Sequence, residues 1–121
     1  MNTLKLTRSD FDANGKYVGA VDINGYDGNV EIEERLGWCV FVAIKVTGYL
    51  RAKAGWGIKA GEGIKAGSGI KAGSGIDFKF QLFAGVVTWR KRTAEDGVIR
   101  CTSINGGDIV LGEVIITADA A

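Results

Sequence analysis

One hexapeptide, I-K-A-G-x-G, recurs almost without drift in "GWGIKAGEGIKAGSGIKAGSGI", from Gly55 to Ile76. It lies inside a longer alternation. From Val30 to Val86 the apolar residues fall on even positions, among them Trp38, Val40, Val42, Ile44, Leu50, Ile58, Ile64, Ile70, Ile76, Phe78, Phe80 and Leu82. Alternation of this kind is a strand signal. Nearly sixty residues at about 3.3 Å each would make a strand about 190 Å long, which a chain of 121 residues cannot enclose. The chain must therefore turn repeatedly without losing its in-and-out phase.

A short-repeat β-solenoid meets that requirement, because each short strand pairs with the strand one coil away and side chains of one parity stack inside. Ile and Ala of the hexad then point inward, Lys points out, and G-x-G forms the corner, where glycine tolerates the positive φ of a sharp bend. Three hexads per coil would set Lys59 beside Asp77 and Lys53 beside Lys71; two would set Lys65 beside Asp77. A meander of three-residue antiparallel strands is the weaker alternative, since such strands are short and each hairpin needs its own turn signal. Collagen is excluded by the glycine spacing, which is two and four rather than three. The expected class is all-β: a single domain with an irregular N-terminal cap over 1–29, a solenoid over 30–88 with hexads at 53–76, and a C-terminal β cap over 89–121. The first cap carries Asn14-Gly15, Asn24-Gly25 and Gly28-Asn29 turn signals and an odd-numbered apolar face, Tyr17, Val21 and Ile23. The second reads as strand, charged loop, strand, an Asn-Gly-Gly turn at 105–107, and two further strands.

Composition removes most chemistry. There is no histidine, so a Ser-His or Cys-His nucleophile cannot be assembled. No G-x-x-x-x-G-K-[ST] loop is present. Carboxylates cluster at Glu31, Glu33 and Glu34 and at Glu95 and Asp96; Glu31 and Glu33 fall on the outward parity of a strand and read as a solvated face, and the Asp10/Asp12 pair lacks the oxygen-rich loop a hard cation needs. Cys39 and Cys101 read as buried thiols rather than metal ligands, although the sequence leaves a disulfide open. The expectation is a non-enzymatic protein with no cofactor, no metal and no small-molecule substrate. No run reaches the roughly 18–20 apolar residues of a membrane helix, and the N-terminus lacks an apolar leader; a cytoplasmic protein is expected.

Charge is unevenly placed. Residues 1–38 hold seven acids and four bases, residues 39–92 ten bases against Glu62 and Asp77, and residues 93–121 five acids and Arg100. The basic middle supplies the candidate partner-binding residues: Lys53, Lys59, Lys65, Lys71, Arg90, Lys91 and Arg92, with Trp56 as an exposed aromatic anchor. The implied partner is a large protein or protein–nucleic acid complex with an acidic or nucleic-acid-binding surface, and a homodimer stays open. A nucleic-acid-binding module is an alternative, since lysines at intervals of six, with Arg90-Lys91-Arg92 beside Trp89, attract phosphates; against it, consecutive hexads rotate about the axis, so the lysines ring the shaft rather than line one groove.

The stretches "GWGIKAGEGIKAGSGIKAGSGI", "FAGVVTWRKRTAEDG" and "IRCTSINGGDIVLG", spanning roughly Gly48 to Gly112, resemble small phage and mobile-element proteins with IKAG-type ladders. The "TWRK"-to-Cys segment is the more specific part. This resemblance implies an accessory protein that inhibits a bacterial defence complex by stoichiometric binding, as anti-CRISPR proteins do, inside the bacterial host. A looser similarity is to bactofilin-type polymer-forming solenoids, which implies self-assembly through the ends.

Overall fold

The computed structural model describes residues 2–33, 38–54, 57–73, 75–86, 91 and 93–116, with the side chains of 53 and 54 excepted. The fold is all-β. Its strands are β1 (Thr3–Leu6), β2 (Asn24–Tyr26), β3 (Asn29–Ile32), β4 (Trp38–Phe41), β5 (Ile44–Val46), β6 (Leu50–Ala54), β7 (Gly57–Ala60), β8 (Ile64–Ala66), β9 (Ile70–Gly73), β10 (Gly75–Ala84), β11 (Val98–Cys101), β12 (Ser103–Leu111) and β13 (Glu113–Ile116). The strands form two sheets, one curled into a half-barrel. Every pairing between these strands is parallel. An antiparallel meander is thereby excluded over the described residues.

The pairings sort into three ladders. The first runs β1-β3-β6-β9-β11-β13. The second runs from β4 through β7 to the first half of β10, and the third from β2 through β5 and β8 to its second half. Strand β12 then lies along both halves of β10. Ile58 pairs with Ile76 and Ile64 with Leu82, eighteen residues apart, so Asp77 stands opposite Lys59. One turn earlier the separation is twenty: Leu50 pairs with Ile70, and Arg51, not Lys53, stands opposite Lys71. One of the two extra residues is absorbed in β6, where the register shifts between Ala52 and Ala54.

The alternation places the core. Stacks such as Val30–Leu50–Ile70–Ile99 and Ile44–Ile64–Leu82 are almost fully buried. Within the repeat, Ile58, Ala60, Ile64, Ala66, Ile70 and Ala72 all face inward, as the hexad requires. Parallel strands buried in this way keep their registry because a one-residue slip would expose every isoleucine.

Elsewhere the even-numbered phase fails. In β4 the buried residues are Cys39 and Phe41, whereas Trp38 and Val42 are exposed. An odd number of residues separates Ile32 from Cys39 and Phe41 from Ile44, so the corners flank β4 with two phase reversals. The hexad corners, such as Ala60 to Ile64, span an even number and preserve phase. Phe80 is likewise 56% exposed. There β10 bends, and the Lys79 and Phe80 amides both donate to the Glu62 carbonyl, at 3.2 and 2.8 Å. Phe80 thus stands in the corner between the buried Phe78 and Leu82, at the outward place that Glu62 holds between Ala60 and Ile64.

The corners also correct the expected role of glycine. Among the described repeat glycines only Gly69 has positive φ, +75°. Gly67 is demanded by space instead: a β-carbon there would collide with the Thr47 carbonyl. The Asn105-Gly106-Gly107 segment is not a hairpin turn; it continues β12 around the bend of β10.

At the N-terminal end Phe11, Tyr17 and Phe41 pack ring to ring at 5.6–5.9 Å, and Leu6 and Ile23 close the core. Two T-x-x-D sequences make matching 3-10 turns, at Arg8–Asp10 and Ala94–Gly97. The aspartate returns to the threonine amide in each, at 2.8 Å for Asp10 and 2.7 Å for Asp96. Asp96 is buried and also accepts from the Thr93 and Ser68 hydroxyls, tying its turn to the corner that follows β8.

Candidate functional site

The predicted binding residues do not share one surface. Lys71 lies on the first ladder, Lys59 on the second and Lys65 on the third. Lys91 is exposed and lies outside the strands. Trp56, Arg90, Arg92 and the side chain of Lys53 lie outside the described residues.

On the second ladder Lys59 faces Asp77 across one strand pair, so its charge is locally offset. On the first, Arg51, Lys71 and Arg100 stand in register, but carboxylates are interleaved with them. Arg100 pairs with Glu95 at 3.3 Å, Lys5 with Glu33 at 3.9 Å, and Tyr49 donates to Glu31 at 2.8 Å while Arg51 lies 4.0 Å over the Tyr49 ring. Burial, and then the Glu31 hydrogen bond, push the Tyr49 hydroxyl pKa up. This face interleaves carboxylates with its cations, although Lys71 itself stands between Arg51 and Arg100.

The third ladder is different. Lys45 and Lys65 are directly paired in register, and Phe83 follows Lys65 on the next strand. Like charges opposite one another destabilise a sheet. Among the described residues no carboxylate makes an ion pair with Lys45, Lys65 or Lys79. Two of these cations lie against rings instead: the Lys65 ammonium is 5.7 Å from the Phe83 centroid and the Lys79 ammonium 5.3 Å from that of Phe80. Lys45, Lys65, Phe80 and Phe83 border an open groove of about 290 Å³ whose lining includes Ile64 and Gly63, with Glu62 as its acidic member; Lys79 lies outside it, beside Phe80. Val42, 62% exposed, lies across the Glu62 corner from Phe80: its carbonyl receives the Glu62 amide at 2.7 Å, and the Glu62 carbonyl receives that of Phe80.

The arrangement concentrates uncompensated positive charge beside solvent-facing aromatic and aliphatic surface. It offers phosphates or carboxylates three ammonium donors and offers planar groups two rings. Sequence reading found Lys65 and missed Lys45, Lys79, Phe80 and Phe83. The ladder register was the missing signal for Lys45, and the corner that turns Phe80 outward has no mark in the alternation.

Both cysteines are buried and unbridged. Burial pushes the Cys39 thiol up to about 12, and raises that of Cys101, so neither is a ready nucleophile. Among the described residues no group of three or more Cys, Asp or Glu side chains is placed to hold a metal ion, and no helix is long and apolar enough to cross a membrane. No family model matches the chain, and no curated protein or solved structure matches it significantly.

Proposed function

We propose that the chain is a short-repeat β-solenoid that acts by binding rather than by catalysis, docking its third ladder on an anionic surface of a larger macromolecular assembly. The solenoid reading is supported by the all-parallel pairing, the eighteen- and twenty-residue separations and the inward Ile and Ala stacks. The observation that carries the function is the in-register Lys45–Lys65 pair with Phe80 and Phe83 beside it. A pair of adjacent lysines without a carboxylate is unfavourable in the free protein and is relieved by an anionic partner, so part of the binding free energy is built into the fold. In the setting implied by the resemblance to IKAG-type phage proteins, the assembly is a bacterial defence complex in the cytoplasm and binding inhibits it.

Retention on an anionic matrix tests the docking face. Lys45→Glu combined with Lys65→Glu is expected to elute at much lower salt than the parent, whereas Lys59→Glu changes retention little. Equal loss from both changes would mean that net charge alone governs binding, and the assigned face would be wrong.

A second reading, self-assembly through the C-terminal end, is favoured by one observation. Ile109 belongs to the inward Ile44–Ile64–Leu82 stack yet is 38% exposed, and Val110 and Ile116 on the outermost strands are exposed with it. Light scattering across a wide concentration range decides it: a constant monomer mass removes this reading.

A further inference from the structure

Resting on the docking face proposed above, a narrower conclusion follows from how its cations and rings alternate. Lys45 and Lys65 stand on neighbouring strands, about 4.8 Å apart along the ladder. Phe83 continues that line, and Phe80 projects from the corner beside it. Each ring carries an ammonium about one ring-width away, Lys65 on Phe83 and Lys79 on Phe80. Two cation–ring pairs, Lys65 with the half-buried Phe83 in the groove and Lys79 with the exposed Phe80 at its edge, match a polymer in which a planar group accompanies each negative charge.

We infer that the groove binds single-stranded nucleic acid, with bases stacking on Phe80 and Phe83 and the phosphates between them met by Lys45, Lys65 and Lys79. An acidic peptide would satisfy the lysines but would make no specific use of two ring faces. A duplex keeps its base faces stacked internally and could reach only the lysines. Asn24 and Gln81 also line the groove and offer side-chain amides to base edges, whereas the stacking and phosphate contacts that carry the affinity are tolerant of sequence. Glu62 at the rim opposes the phosphates and limits affinity.

The test is fluorescence anisotropy with the intact chain and three probes: a labelled oligothymidylate of about 12 nucleotides, a duplex of equal length, and an oligoglutamate of similar charge. The single strand is expected to bind more tightly than either other probe. Its log K is expected to fall with log salt at a slope of about −2, the value for three phosphate neutralisations on a single strand. Phe80→Ala is expected to weaken single-strand binding about tenfold or more, as loss of one stacking platform does, while Lys45→Ala is expected to flatten the slope by about 0.7. Both side chains are solvent-facing, and unchanged circular dichroism of the variants establishes that they fold. Oligoglutamate binding that is as tight and indifferent to Phe80 would overturn the nucleic-acid assignment and leave the anionic docking face standing. Equal binding of duplex and single strand would also overturn the stacking assignment. Binding of none of the probes would overturn both.

Discussion

The indole of Trp38 fills the space above Gly57, its direct partner in the parallel ladder: a β-carbon at Gly57 would lie 2.6 Å from the indole Cε3. The same ring reaches the next strand, where a β-carbon at Gly75 would lie 3.0 Å from Cη2. Two repeat glycines on the outer surface thus serve as a slot for one flat side chain, which shields backbone that glycine leaves bare. Gly57→Ala is expected to dislodge the ring and cost roughly 1–3 kcal/mol, as overpacking does. Gly61→Ala is the contrast, because its φ is not positive and nothing lies closer than 3.7 Å to the added carbon. There the change is expected to be neutral or to stabilise by up to about 1 kcal/mol through the unfolded chain. Urea unfolding of the two variants, with tryptophan emission as the probe, separates the cases.

Asp96 and Asp10 occupy the same place in two T-x-x-D turns, but only Asp96 is buried, 2% exposed, and only its carboxylate also receives the Ser68 hydroxyl, at 3.1 Å. Asp96→Ala is expected to destabilise by about 2 kcal/mol, because three part-buried hydrogen bonds lose a charged acceptor. Asp10→Ala is expected to cost less, since water replaces the lost acceptor. Thermal melts of both variants at one pH make the comparison.

Cys39 dictates an alkaline limit. Its thiol titrates near 12 in the folded chain against an ordinary value of 9.0. A raised folded pKa means that the native state holds its proton longer than the unfolded chain, so the stabilisation is complete below pH 9 and is lost as the pH climbs towards 12. Tyr17 and Tyr49, raised above 10.0 chiefly by burial, act in the same direction higher in that range. Unfolding free energy is expected to fall from pH 9 upward, and Cys39→Ala is expected to flatten that fall whatever its effect at neutral pH. The native thiol is also expected to resist thiol reagents at pH 8 until denaturant is added.

Ile64 sits in the middle of the Ile44–Ile64–Leu82 stack and is fully buried. Ile64→Ala is expected to cost about 2–5 kcal/mol and Ile64→Val about 0.5–1.5 kcal/mol. Lys65→Ala, one residue on and facing out, is expected to leave stability unchanged or to raise it by removing repulsion from Lys45. Chemical denaturation gives all three values.

The core of the repeat was legible because its corners span even numbers of residues, so one parity rule holds from Ile58 to Ile76. The rule broke at Trp38 and Val42 because odd-length corners rotate the chain by one side chain, and at Phe80 because that residue stands in the corner between the buried Phe78 and Leu82, eighteen residues after Glu62. The docking groove was less legible than the core for the same reason. Lys65 is visible as a hexad lysine, but its neighbour Lys45 is twenty residues away, a distance fixed only once strands are paired. Phe80 reads as one more inward residue until the Glu62 carbonyl is seen accepting two successive amides. The separation of Lys59, Lys65 and Lys71 onto different ladders did follow from the repeat, because each hexad advances the chain by one ladder.

In the proposed solenoid, that advance makes the tract a length standard with a fixed increment. Insert one hexad after Ile76, and everything downstream is dealt onto the wrong side of the shaft, so Phe83 no longer continues the Lys45–Lys65 line. Insert three, and each later side chain returns to its own side, displaced by about 4.8 Å. Growth and shrinkage of this chain are therefore tolerated in quanta of eighteen residues, and its surface chemistry travels along the axis as intact blocks.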